Sequence, residues 1–209
     1  MEPKIEKFVT YLYDAYPRLQ DIVKSFQLCS SYNKGKAYLV TNPTKAINFD
    51  KLTEWVYGAK NAPCKSADSL TFNDTSLFLI EFKSGDQTTH ERKLEKLIEG
   101  VTGKINDSDD TISKLYAQQS VGDESRLPQR FYLVVDSKKM GINPIITTLT
   151  SLSLIGNSNE KERVIWERIK PDLKKGIKEP NHYIDVDVWY SDIFSDYIQK
   201  YGIENVKRP

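Results

Sequence analysis

The heptapeptide Leu77-Phe78-Leu79-Ile80-Glu81-Phe82-Lys83 constrains the fold more than any other stretch of the chain. Side chains on a strand alternate between its two faces. Leu77, Leu79, Glu81 and Lys83 therefore share one face, and Phe78, Ile80 and Phe82 share the other. A strand apolar on both sides has to be covered on both sides. Ser84-Gly85 stops it, and the turn formers Asn73, Asp74, Thr75 and Ser76 precede it. A second short run, residues 66–72, lies just upstream, so the two predict a β-hairpin.

The rest of the chain supplies the cover. Ile5, Phe8, Val9, Leu12, Tyr13, Tyr16 and Leu19 recur at helical spacing, which predicts a helix over 4–28 broken near Pro17. Residues 36–40 read as a short strand. Residues 49–58 read as a helix closed by Gly58. A helix is expected over 89–105 on the stripe Leu94, Leu97, Ile98 and Val101, then a loop at 106–110. Residues 130–137 are apolar on both faces and predict a central strand. Residues 146–155 fit helix or strand equally. Residues 159–176 predict a helix broken at Pro171. Residues 182–190 alternate as a strand near an edge, and 191–202 read as a helix with a Ser or Asp cap and a Gly stop. The order predicts an α/β fold, a mixed central sheet flanked by helices, over a single domain of 1–209.

The hairpin raises a chemical question, because it carries an acid and a base on one face. With Asn73 to Ser76 as the loop, Phe72 lies opposite Leu77, Leu70 opposite Leu79, Asp68 opposite Glu81 and Ser66 opposite Lys83. A two-residue Asn-Asp turn would shift the register by one pair and leave Asp68 on the Glu81 face. Only an odd-length loop would turn it away. Facing carboxylates repel unless a cation lies between them. Mg²⁺ takes oxygen ligands and keeps several waters, so two carboxylates suit it. A lysine two residues beyond one ligand can hold an attacking water or steady developing charge. Glu-x-Lys alone at a strand end is an ordinary solvated terminus. The Asp on the same face, the hairpin length and the following helix set this one apart.

These residues resemble the PD-(D/E)XK nuclease superfamily, with its restriction-endonuclease-like core. That signature is an Asp on one strand, Glu-x-Lys on the next and a helix after it. Here Asp68, Glu81 and Lys83 stand in those places, and Ala67 replaces the proline before the Asp. The resemblance spans about residues 49–140, with N-terminal helical and C-terminal strand-helix additions outside it. It implies Mg²⁺ or Mn²⁺ held by Asp68, Glu81 and the backbone carbonyl of Phe82, with Lys83 as the catalytic lysine. It also implies hydrolysis of phosphodiester bonds in DNA or RNA. An acidic residue from the helix before the hairpin often joins such a site, and Glu54 is the candidate. As a plain helix residue, Glu54 is a solvated neighbour of Trp55. Asp74 competes for the Asp role but sits in the turn.

Composition limits the partners. The net charge is +1, too small for a nonspecific nucleic-acid coat, so phosphate contacts must come from local patches. The best patch is 161–178, with Lys161, Arg163, Arg168, Lys170, Lys174, Lys175 and Lys178; Lys104 and the Lys138-Lys139 pair are rivals. Such a helix is ordinarily a solvated face. Cys29 and Cys64 form no CxxC, which predicts reduced thiols and a cytoplasmic setting. No apolar leader or membrane span is read in the chain. His90 and His182 lack zinc-ligand spacing; His90 suits a helix cap but lies near Lys83 in sequence. Asp185 and Asp187 share a strand face and suit a solvated edge. The hairpin's charges point to metal-assisted hydrolysis, and the resemblance implies a Mg²⁺-dependent endonuclease. The competing readings are a non-catalytic binding or accessory protein of phage, defence or immunity type on the same fold, and a structural domain in which Glu81 and Lys83 simply pair.

Overall fold

The computed structural model describes residues 4–32, 35–63, 65–85, 91–120, 126–136 and 168–203. Within them lies a six-stranded mixed sheet made of β1 (Val23–Ser25), β4 (Lys45–Asn48), β5 (Ser69–Phe72), β6 (Leu77–Lys83), β7 (Gln129–Val135) and β8 (Tyr183–Tyr190), hydrogen-bonded in that order. From β1 to β6 each neighbour is antiparallel, whereas β6, β7 and β8 run parallel. A parallel step needs a long crossover; between β6 and β7 it contains the 29-residue helix α4 (Glu91–Gln119). A separate ribbon pairs β2 (Ser31–Tyr32) with β3 (Ala37–Tyr38). The other helices are α1 (Lys4–Ala15), α2 (Phe26–Cys29), α3 (Phe49–Tyr57), α5 (Lys170–Lys175) and α6 (Phe194–Lys200).

Strand alternation divides the core into two layers. Leu70, Leu77, Leu79, Phe131, Leu133, Val186 and Val188 pack with α1, α3, α4 and α5. Phe78, Ile80, Phe82, Tyr132, Val134 and Trp189 pack with Phe26 of α2 and Phe194 and Ile198 of α6. The expected α/β architecture is therefore present, and β7 is an inner strand with β8 at the edge. Among the described residues no helix is long and apolar enough to cross a membrane.

Four local expectations change. The first helix ends at Ala15, before Pro17; a 3₁₀ turn (Leu19–Ile22) and the edge strand β1 follow instead. Val23 pairs with Ile47 there, so β4, in a stretch left unassigned by pattern, links the hairpin to the sheet edge. Residues 106–110, expected as loop, run through the middle of α4. Their weak helix propensity is overridden by buried partners: the Ser108 hydroxyl accepts from the Ala67 N–H at 2.9 Å, and Asp109 meets Arg126, Gln129 and His182. Asp187, expected in solvent, is buried and lies 3.1 Å from Lys170.

Residues 168–169 are π-helical and pass directly into α5, so the helix is irregular just before Pro171, which falls in the first turn of α5. α6 begins without a side-chain cap, although Gly202, at φ 61°, follows its end as expected. Residues 146–155 and 159–167 lie outside the described residues.

Candidate functional site

The hairpin adopts the even-loop register: Phe72 pairs with Leu77 and Leu70 with Leu79, ending at Ser69 with Ile80. Asn73 shapes the turn by accepting the N–H groups of Thr75 and Ser76 on its side-chain oxygen. One residue before β5, Asp68 ties the open end of the hairpin. Its Oδ2 accepts the Phe82 N–H at 2.7 Å, and its own carbonyl accepts the Phe49 N–H at 3.3 Å.

Glu81 is fully buried, 0% exposed, on the sheet face covered by α4. Lys83 Nζ lies 2.6 Å from Glu81 Oε1. Lys104 of α4 approaches from the helix layer, with Nζ 2.7 Å from Glu81 Oε2 and 3.3 Å from Asp68 Oδ1. The two carboxylates thus converge on one point, as the hairpin register requires, and the cation at that point is an ammonium. Asp50, in the first turn of α3, accepts a short hydrogen bond from the Ser66 hydroxyl.

Burial dominates the electrostatics. It pushes the Glu81 carboxyl up to about 7, helped by the Asp68 charge, and Lys104 and Lys83 only partly pull it back. Burial also raises Asp68, with Asp50 adding to it; Lys104 and the Phe82 N–H act the other way. For Lys104 burial disfavours the ammonium, but Glu81 and Asp68 together outweigh it and raise its pKa. Burial and Asp68 push the Cys29 thiol up to about 12, so it stays protonated. Cys29 to Tyr32, Asp68, Phe82 and Ser84 line a cavity of about 140 Å³ that Glu81 does not reach.

The donor set suits a hard cation. Asp68 and Glu81 offer oxygen ligands aimed at one point, and the Phe82 N–H holds Asp68 there. Among the described residues no group of three or more His, Cys, Asp or Glu side chains is placed to hold a metal, so the remaining positions would fall to water and carbonyl oxygen. A borderline or soft metal finds nothing comparable here.

No family model matches the chain, and no curated protein or solved structure does.

Asp68, Glu81 and Lys83 come together; Glu54, Asp74, Asp185 and His182 do not join them. Glu54 is turned to solvent and pairs with Lys51 at 2.7 Å. The acid of α3 whose charge reaches Asp68 is Asp50. Asp74 is exposed in the turn. Asp185 lies 3.6 Å from Arg130 on the edge strand. His182 Nδ1 contacts both Asp109 oxygens, at 2.9 and 3.0 Å. In the basic segment Arg168 grips Glu91 through two nitrogens, Lys170 meets Asp187 and Lys175 meets Asp172, while Lys174 is exposed. His90, Cys64, Lys138, Lys139, Lys161 and Arg163 lie outside the described residues.

Lys104, expected as a surface contact, is instead an inner member of the cluster, with 18% of its side chain exposed. A signal for it exists in the sequence. Lys104 falls three residues after Val101 and four before Ser108, inside the buried stripe of α4. Asp50 has a weaker one, standing two residues after the helix cap Asn48.

Proposed function

We propose that the chain is a metal-dependent nuclease of the PD-(D/E)XK type, hydrolysing phosphodiester bonds of DNA or RNA. One observation carries this: the Asp68 and Glu81 carboxylates converge on a single point, with Lys83 at the same strand end. Asp68, Glu81 and the Phe82 carbonyl are the groups to hold Mg²⁺ or Mn²⁺. The metal, when bound, supplies Lewis acidity and lowers the pKa of a water ligand. Lys83 is partly exposed, so its ammonium can hold the attacking water or the charge that develops on the phosphate. The burial that raises Glu81 also strengthens every charge interaction at the site.

The test is a cleavage assay on mixed single- and double-stranded DNA and RNA with Mg²⁺ or Mn²⁺. Asp68→Ala is expected to abolish both metal binding and cleavage. Lys83→Ala is expected to bind metal and lose roughly 10²–10³-fold in rate. Cleavage that survives chelation, or that Asp68→Ala leaves intact, would defeat the proposal.

A second reading has its own support. Lys104 and Lys83 already neutralise Glu81, which is what a non-catalytic binding protein on this fold would need. It predicts no Mn²⁺ binding by wild type and no cleavage of any nucleic acid.

A further inference from the structure

Lys104 stands where a metal ligand set would want its ion. Its Nζ contacts Glu81 Oε2 at 2.7 Å and Asp68 Oδ1 at 3.3 Å, the two acids that the proposed nuclease site assigns to the metal. An ammonium and a divalent ion cannot share that point, because each removes the other's attraction to the same oxygens and the two repel at contact range. Neither can the carboxylates be left bare. Glu81 is fully buried, and a buried charge stripped of its partner is strongly destabilising.

We propose that Lys104 is a resident counter-cation of the Asp68–Glu81 pair, which a divalent ion displaces on binding, so that the site exchanges cations rather than filling a gap. The inference rests on the metal-dependent reading above. The surroundings suit an exchange. Lys104 is carried by a flexible four-carbon stem with three equivalent donors. Its side chain keeps 18% of its surface in solvent, which gives it an outlet. Asp50 is near enough for its charge to act on Lys104, so a displaced ammonium retains an acidic neighbour. Glu81 keeps Lys83 at 2.6 Å throughout, so only one of its two cations has to move. Lys104 is thus a positioning residue: it holds the two acids in ligand geometry before the metal arrives and sets how tightly the metal binds.

Calorimetric titration of Mn²⁺ into wild type, Lys104→Met and Lys104→Gln tests this. Both variants are expected to bind at least about tenfold more tightly than wild type, because no internal cation competes. Equal or weaker binding in folded variants, with wild type still binding, overturns displacement and leaves the metal site standing. No binding by any of the three overturns both. A second measurement needs no variant. Acetylation of wild-type lysines, mapped by mass spectrometry, is expected to be slow at Lys104 in chelator and faster with Mg²⁺, while exposed Lys174 is unchanged. Protection of Lys104 by Mg²⁺, or no change, overturns the proposal even if both variants fail to fold.

Discussion

Glu81 links the stability of the protein to pH. An unfolded glutamate titrates near 4.5, whereas burial lifts this one to about 7. The native state therefore holds a proton in that interval that the unfolded state has released. A carboxyl raised in this direction stabilises most below pH 4.5, and its contribution is lost as pH rises through 7. Asp68 is shifted in the same direction. Urea unfolding in chelator is expected to show stability falling by on the order of 3 kcal/mol between pH 4.5 and 7. Glu81→Gln should remove most of that slope. A slope equally steep in the variant would place the proton elsewhere. The face that Glu81 occupies was legible in sequence, because period-two alternation and an even loop determine it. Lys104 was legible only as a position on the buried stripe of α4; that it reaches Asp68 and Glu81 depends on how α4 packs against the sheet, which no local pattern encodes.

Helix α4 shows why an element can be mistaken when its parts are judged locally. Asn106, Asp107, Ser108, Asp109 and Asp110 are poor helix formers in succession, and as a surface segment they would form a loop. The segment is helical because the side chains of Asn106, Ser108 and Asp109 have partners outside the helix. Asp109 is buried, with Arg126 at 2.5 Å, Gln129 at 2.9 Å and His182 at 2.9 Å around its oxygens. Ser108 anchors the chain just before Asp68 by accepting the Ala67 N–H. The same helix thus positions Lys104 and the strand end that carries its partner. Asp109→Ala leaves the buried Arg126 without its carboxylate and is expected to cost about 3 kcal/mol in urea unfolding. Asp109→Asn keeps one acceptor oxygen and should cost less than half as much. Equal costs for the two would show that the negative charge, rather than the oxygen, is what the cluster requires. The hairpin, by contrast, was readable because its turn chemistry and its apolar runs agree without outside help.

At the scale of the whole molecule, charge decides how a nucleic acid would be held. The net charge is +1, and many cations of the described residues are paired: Arg168 with Glu91, Lys170 with Asp187, Lys175 with Asp172 and Arg126 with Asp109. Lys83 and Lys104 are turned to Glu81. In the basic segment that looked like a phosphate track in sequence, Arg168 and Lys170 are held by acids of α4 and β8, far away along the chain, and Lys175 by its neighbour Asp172, while Lys174 stays exposed. Each phosphate neutralised by a protein cation releases counterions and steepens the dependence of affinity on salt. A site that relied on the proposed metal and on only a few exposed lysines, such as Lys174, would make few such contacts. Fluorescence anisotropy of Lys83→Ala with labelled single- and double-stranded oligonucleotides, from about 50 to about 200 mM KCl with Mg²⁺, is expected to give slopes of log K against log salt between about −1 and −4. A slope near about −10 would require many phosphate contacts, to which Arg168, Lys170 and Lys175 could add only by abandoning their acids. Charge reversal at Glu91 and Asp172 would then change the slope. With a shallow slope those substitutions should leave it alone, and recognition is assigned to the hairpin end where Asp68, Glu81 and Lys83 meet.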